Sequence, residues 1–247
     1  QGPLARTVAD VRLALSAMAQ PDMRDGNWMP VPLNGPELPR PLGVAIAPSP
    51  FGDEAPEVIA AVKAAGRWLS EAGFAVEEIE PPRLAEAADL WHRLVINEER
   101  RGLAPLIRKF GDAKSRYNLD CHLTYAPELD GDAVLAGFEQ RLGIIRAWQL
   151  FQERYPIIIL PVSAQLPFRF GQDQEDAATV RALIDAQRSL LAIPALGFPA
   201  LSLPTGIVDG KPVGVQVIAG RFREDVCLAA GEAIEARAST FTPIDPR

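Results

Sequence analysis

Histidine and cysteine are the scarcest reactive side chains in this sequence of 247 residues, with two of each: His92, His122, Cys121 and Cys227. So few imidazoles leave little for a histidine metal site or a histidine-based triad. The cysteines lie far apart with no metal-like spacing, which predicts ordinary buried thiols in a protein of cytoplasmic localisation. No apolar run reaches the ~18 residues of a membrane-spanning helix. No charged–apolar–small cleavage pattern opens the chain, so no secretory signal is visible and no membrane partner is expected. The net charge of −7, without a basic patch, makes nucleic acid a poor partner as well. The chain opens on Gln1 rather than methionine, and Gly2-Pro3 runs straight into a helix start, as a fragment or a processed subunit would.

The common catalytic signatures are also missing. There is no Gly-x4-Gly-Lys-Ser/Thr phosphate loop, no Gly-x-Gly-x-x-Gly, no His-Glu-x-x-His and no Gly-x-Ser-x-Gly elbow. No two glycines and no two serines are adjacent. Nothing suggests a metal or an organic cofactor, so the expectation for both is none.

What remains is a well-mixed globular sequence, 48% apolar and 23% charged, long enough for one large domain or two small ones. Thr7 and Asp10 form a capping-box-like pair before Val8, Val11, Leu15 and Met18, predicting a helix from Thr7 to about Ala19, with Arg6 and Asp10 placed for an ion pair. Residues 20–41 are rich in Pro, Gly and Asn and read as a long surface loop. Leu42–Ala47 is a buried-strand candidate. Pro56 opens a helix carried by Val58, Ile59, Val62, Ala65 and Leu69, Gly73 stops it, and Phe74–Ile79 is β-rich. Strand, helix, glycine stop and strand make a βαβ unit with a parallel pair.

Leu84, Ala87, Trp91 and Leu94 mark another helix, ending in a solvated charge run at Glu98–Arg101. Lys109–Pro127 reads as irregular and polar. Its neighbours Asp120, Cys121 and His122 would point apart in any regular element, which argues against a shared site there. Leu135, Phe138, Leu142, Ile145 and Trp148 give a long periodic helix. Ile157–Leu160, between Pro156 and Pro161, reads as a central strand buried on both faces. The loop that follows, 162–174, leaves the carboxyl end of that strand, where open α/β sheets hold ligands, so Ser163 and Gln165 are candidate substrate-binding residues in a pocket wall. The same loop could instead be satisfying its own turns. A helix over Asp176–Leu191, a proline-punctuated segment ending in a short strand near Pro204, an Asp209-Gly210 turn, an answering strand Val213–Ala219 and a last helix through Val226, Cys227, Ala230 and Ile234 complete an α/β chain.

Four stretches of this sequence together resemble the amidase signature family. Gly2-Pro3-Leu4-Ala5-Arg6-Thr7-Val8-Ala9-Asp10 is similar to the family's Gly-Pro-x-Ala-Arg-Thr-Val-x-Asp helix start. Leu42–Glu80 resembles the βαβ segment just after it, and Ile159-Leu160-Pro161-Val162 the buried strand before a substrate-side loop. The most specific stretch is Ile193-Pro194-Ala195-Leu196-Gly197-Phe198-Pro199-Ala200-Leu201-Ser202-Leu203-Pro204-Thr205-Gly206, followed by Lys211-Pro212-Val213-Gly214-Val215-Gln216. The resemblance implies a central mixed sheet flanked by helices and an amide hydrolase or amidotransferase acting on a small carboxylic amide.

In that family a serine attacks the carbonyl, a second serine held by a cis peptide relays its proton to a neutral lysine, and backbone N–H groups hold the oxyanion. The lysine and the Gly-Ser-rich loop precede the motif that here stands at residue 2, and Lys63, Lys109, Lys114 and Lys211 match no catalytic lysine. No residue is therefore carried over as catalytic. The chain is expected to be the C-terminal portion of a single amidase-signature domain, inactive alone, with an N-terminal half as its missing partner. An exposed apolar sheet edge or helix face should remain where that half docked, with homo-oligomers a possible result. A non-catalytic α/β binding or interaction subunit is the alternative.

Overall fold

The computed structural model describes residues 2–238. Helix α1 (Val8–Met18) starts where expected: the Thr7 hydroxyl oxygen accepts from the Asp10 backbone N–H at 3.1 Å. The Asp10 carboxylate accepts from that same hydroxyl at 2.8 Å, closing the cap locally in place of the expected pair with Arg6. Residues 20–41 form neither helix nor strand. The loop is pinned by Trp28, whose indole N–H donates to the Ala19 carbonyl, and by Gly35, whose N–H donates to Asp225.

Strand β1 (Gly43–Ile46), helix α2 (Pro56–Glu71) and strand β2 (Ala75–Glu78) build the predicted βαβ unit, with β1 and β2 parallel. Pro56 sits in the first helical turn, where its missing N–H costs nothing, and Gly73, at φ +92°, supplies the left-handed residue that turns the chain back. Strand β3 (Ile157–Pro161) pairs parallel to β1. It then pairs antiparallel to β5 (Lys211–Ala219), which pairs antiparallel to β4 (Ala200–Val208). The order β2-β1-β3-β5-β4 is thus a mixed five-stranded sheet. Asp209 and Gly210, both at positive φ, make the two-residue turn joining β4 to β5. Strand β4 is longer than the short strand expected, running nine residues along the sheet edge.

Every residue of β3 is buried, as a strand covered on both faces must be. Ile157 and Ile159 pack with Val62, Leu69, Val217, Ala230 and Ile234, under α2 and helix α9 (Glu224–Glu235). Ile158 and Leu160 pack with Leu90, Ile144, Trp148, Leu196 and Phe198 on the other face. That second layer comes from helices α3 (Leu84–Arg101), α6 (Gly131–Gln152) and α8 (Arg188–Leu196).

Several expectations need correction. Helix α4 (Leu103–Phe110) follows α3 directly, and helix α5 (Ala113–Leu123) occupies the stretch read as irregular. α5 buries only Leu119, so it has no apolar stripe to read. It is started instead by the Asp112 carboxylate, which accepts from the Ser115 N–H at 2.7 Å. The charge run is not uniformly solvated. Glu98 and Arg101 are exposed, but Glu99 and Arg100 are half-buried, and the Arg100 guanidinium donates to the Leu123 and Ala126 carbonyls at the end of α5. The helix expected over Asp176–Leu191 is two: α7 (Ala177–Asp185) and α8, separated at Ala186–Gln187. The break is fixed from outside, because the Ala186 carbonyl accepts from the Ala164 N–H at 2.7 Å.

Of the cysteines, Cys227 is buried and its burial pushes the thiol pKa up, whereas Cys121 is half-exposed and not the buried thiol expected. In α6, Ile144, Ile145 and Trp148 face the core, while Leu135, Phe138 and Leu142 form an exposed apolar stripe. No described helix is long and apolar enough to cross a membrane.

Candidate functional site

The loop after β3 is held as a platform at the carboxyl end of that strand. The Ala164 N–H donates to Ala186, and the Ala164 carbonyl accepts from Ala55, tying the loop to the α7–α8 junction on one side and the start of α2 on the other. Beneath it the Gln216 amide, fully buried on β5, donates to the Pro161 carbonyl at 3.0 Å and fixes the strand end. Between loop and sheet lies a first cavity of about 350 Å³, with Ser163, Gln165 and Phe168 on the loop side and Ser202, Pro204 and Gly214 on the β4–β5 side. The structure therefore brings Ser163 and Gln165 to one cavity wall. The Ser163 hydroxyl oxygen also accepts from the Gln165 N–H at 3.2 Å, so the loop satisfies its own turn while facing the cavity. Among the described residues no charged side chain lines this space. An uncharged ligand can enter it without a desolvated counter-charge, and a free carboxylate or ammonium would find none.

Asp120, Cys121 and His122 do point apart, as neighbours on a helix should. Asp120 pairs with Arg108 at 2.8 Å, while His122 turns inward with its Nδ1 4.0 Å from Glu99. Among the described residues no group of three His, Cys, Asp or Glu is placed to hold a metal ion.

A second cavity, of about 500 Å³, was not foreseen from the sequence. It lies between α3, α5, α7 and α8 and adjoins the first, since Phe168 and Gln187 line both. Its walls include Trp91, His92, Leu183 and Leu191. The signal was present in one residue: His92 falls between Ala88 and Ile96 at four-residue spacing, an imidazole on the buried stripe of α3.

The His92 ring stacks on Tyr125 at 4.3 Å and meets Trp91 edge-on at 5.3 Å. The Tyr125 hydroxyl donates to Asp185, and the Arg181 guanidinium lies 3.7 Å over the Tyr125 ring. Burial is the main influence on His92 and lowers its pKa. Asp185 and Asp89 oppose the shift, Arg181 reinforces it, and the Ala88 carbonyl opposes it. A histidine kept neutral in the fold binds fewer protons than its unfolded form. Its contribution is intact above the unfolded pKa of about 6.5 and is lost as pH falls from there through the lower folded value. Urea midpoints should drop between pH 7.5 and 5.5, and drop less in His92→Phe. An equal drop in both proteins would assign the acid sensitivity elsewhere.

Comparison with known proteins gives a consistent picture. The family model described as Amidase matches residues 1–228. An indoleacetamide hydrolase of Bradyrhizobium japonicum is 38% identical over 252 residues, covering 98% of this chain and 52% of the relative. One subunit of the glutamyl-tRNA(Gln) amidotransferase of a Picosynechococcus strain is 29% identical, covering 95% and 54%. The chain thus spans about half the length of the curated relatives it matches. Among solved structures, an allophanate hydrolase of Kluyveromyces lactis superposes with a TM-score of 0.76 at 18% identity, over 95% of this chain and 38% of that one. A bacterial aryl acylamidase of the amidase signature family does so with 0.74 at 20%, over 96% and 52%. At these identities the structures speak for the fold.

Proposed function

The chain belongs to the amidase signature family, and from that premise we propose that it is the C-terminal, pocket-forming portion of a hydrolase of small carboxylic amides. The observation that carries the reading is the uncharged first cavity, walled by Ser202, Pro204 and Gly214 from the family's most specific stretch and by Ser163 and Gln165 from the loop opposite. Both the acid and the amide nitrogen of a carboxamide are masked, so the group is neutral and fits a wall of hydroxyls, amides and apolar surface. The name shared by the 38%-identical relatives points to an arylacetamide, of which indole-3-acetamide is the first to test.

The chemistry is assigned to a preceding segment that supplies the serine, the cis-linked serine and the lysine. The serine oxygen bonds to the amide carbon, the C–N bond breaks, and the nitrogen leaves with the proton relayed through the second serine and the lysine. Water then hydrolyses the ester. Ser163 and Gln165 orient the amide and take no proton. The edge of β4, which pairs with no further strand among the described residues, and the Leu135–Phe138–Leu142 stripe of α6 are the surfaces offered to that segment.

Ammonia release from indole-3-acetamide tests this reading. The chain alone should give none, and the same chain joined to the encoded segment that precedes it should turn the amide over. Turnover by the chain alone that is lost on mutating one of its own serines would overturn the assignment. So would a joined protein that hydrolyses no amide.

A further inference from the structure

Helix α4 turns its broader apolar face away from the core. Ala104 is its one buried residue, with Ile107 half-buried beside it. Leu103, Leu106 and Phe110 share the opposite side at helical spacing and are 47%, 55% and 73% exposed. An apolar stripe left in water forgoes the free energy of burial, so such a face calls for a cover.

The same stretch reverses the sign of the protein's charge. The net charge of −7 conceals a local excess of cations: Arg101, Arg108, Lys109, Lys114 and Arg116 are all exposed, and Asp112 is the sole carboxylate between 101 and 117. Asp112 is engaged at the start of α5, where it accepts from the Ser115 N–H, and Asp120 further along pairs with Arg108. Lys109 extends over the Phe110 ring, its Nζ 4.9 Å from the centroid, so charge and apolar surface meet at one edge of the stripe.

We propose that α4 and the start of α5 form a docking surface for an anionic phospholipid membrane. Helix α4 lies in the plane of the bilayer surface and sinks Leu103, Leu106 and Phe110 among the acyl chains, while the surrounding ammonium and guanidinium groups meet the lipid phosphates. This is attachment to one face, in keeping with the lack of a described helix long and apolar enough to cross a membrane. Charge and area both select lipid as the occupant. A nucleic acid would take the cations and leave the stripe in water. Three partly exposed side chains fall well short of the roughly 800 Å² that each partner gives to a stable protein interface. A bilayer accepts both groups at once, because long basic side chains can reach sideways to the headgroups while the apolar tips point down. The docking needs no amide chemistry and stands or falls apart from the hydrolase reading.

Co-flotation of the chain with lipid vesicles is the test. Vesicles of phosphatidylcholine and phosphatidylserine in equal parts should carry the chain, and phosphatidylcholine alone should carry little. Lys109→Gln combined with Lys114→Gln should lower partitioning about twentyfold, at roughly fivefold for each cation lost. Leu106→Ser combined with Phe110→Ser should abolish flotation and leave the circular dichroism unchanged, since both side chains are exposed. Phe138→Ser with Leu142→Ser on α6 is the control and should float as the wild type does. An equal loss there would mean that any exposed apolar stripe adheres to lipid, and would overturn the assignment to α4. No binding to the mixed vesicles, or binding indifferent to phosphatidylserine, would overturn it too. Oligomers that dissociate in the Leu106→Ser and Phe110→Ser protein would give the stripe to a second copy, and flotation lost on joining the preceding segment would give it to that segment; either result sinks the proposal. The lipid comparison uses the unaltered chain, so it decides the matter even if a variant fails to fold.

Discussion

Gly214→Ala is expected to destabilise the protein by about 3 kcal/mol or more, at the upper end of what overpacking a close-packed site costs. A Cβ on Gly214 would lie 2.4 Å from the Leu203 carbonyl oxygen and 3.1 Å from its carbonyl carbon. Those atoms belong to the backbone of the paired strand β4, so no side chain can rotate away. The strands would have to separate where the ladder already shifts register between Pro204 and Gly206. Because Ser202, Pro204 and Gly214 all wall the first cavity, the same separation would deform it. Gly206→Ala is the control: nothing lies within 4 Å of its Cβ, and the change should stay within about 0.5 kcal/mol. Urea midpoints of the two variants measure the contrast. Equal midpoints would mean that β4 slides freely against β5.

The second large effect belongs to Trp148, fully buried on α6 and stacked on Phe198 with centroids 5.7 Å apart. Trp148→Ala removes the largest side chain of the layer under α3, α6 and α8 and should cost about 3–5 kcal/mol. In a chain of this size that is a fall in Tm of roughly 6–20 °C. Trp148→Phe should cost much less. It keeps an aromatic partner for Phe198, and the indole N–H it removes has no hydrogen-bond acceptor to lose. If the two substitutions cost the same, the energy would reside in the indole's outer ring and not in the filled volume.

The elements legible in the sequence are those whose causes are local. Pro56, the Val58–Leu69 spacing and Gly73 fix α2 within its own residues, and four aliphatics between prolines suffice for β3. Asp209-Gly210 sets the hairpin turn wherever β4 ends. α5 was illegible because one buried leucine makes no period, and a cap plus neighbours hold it. α6 misled by having two apolar faces: Leu135, Phe138 and Leu142 share a helical spacing with Ile145 and Trp148 yet stay outside. The break between α7 and α8 depends on Ala164, more than twenty residues away, and no reading of 176–191 alone could find it. For the candidate site, the position of Ser163 and Gln165 followed from strand order. The second cavity did not, since α3, α5, α7 and α8 each contribute a few residues and only their packing makes the space.

The packing of α1 on α9 sets a clock for biosynthesis. The Val8 N–H, one of the helix-start donors without an internal partner, donates to Glu235 at 3.0 Å, and Arg12 pairs with Glu232 at 2.7 Å. Gly231 lets the helices approach, its missing side chain leaving room for Leu201 and Val8. These partners are 220 and 227 residues apart. At about 5–20 residues per second, α1 leaves the ribosome on the order of 10–45 s before α9 exists to receive it. During that interval Val8, the buried residue of α1, lacks the cover that α9 gives it, so the yield of folded protein should depend on elongation speed and on whatever shields a nascent amphipathic helix.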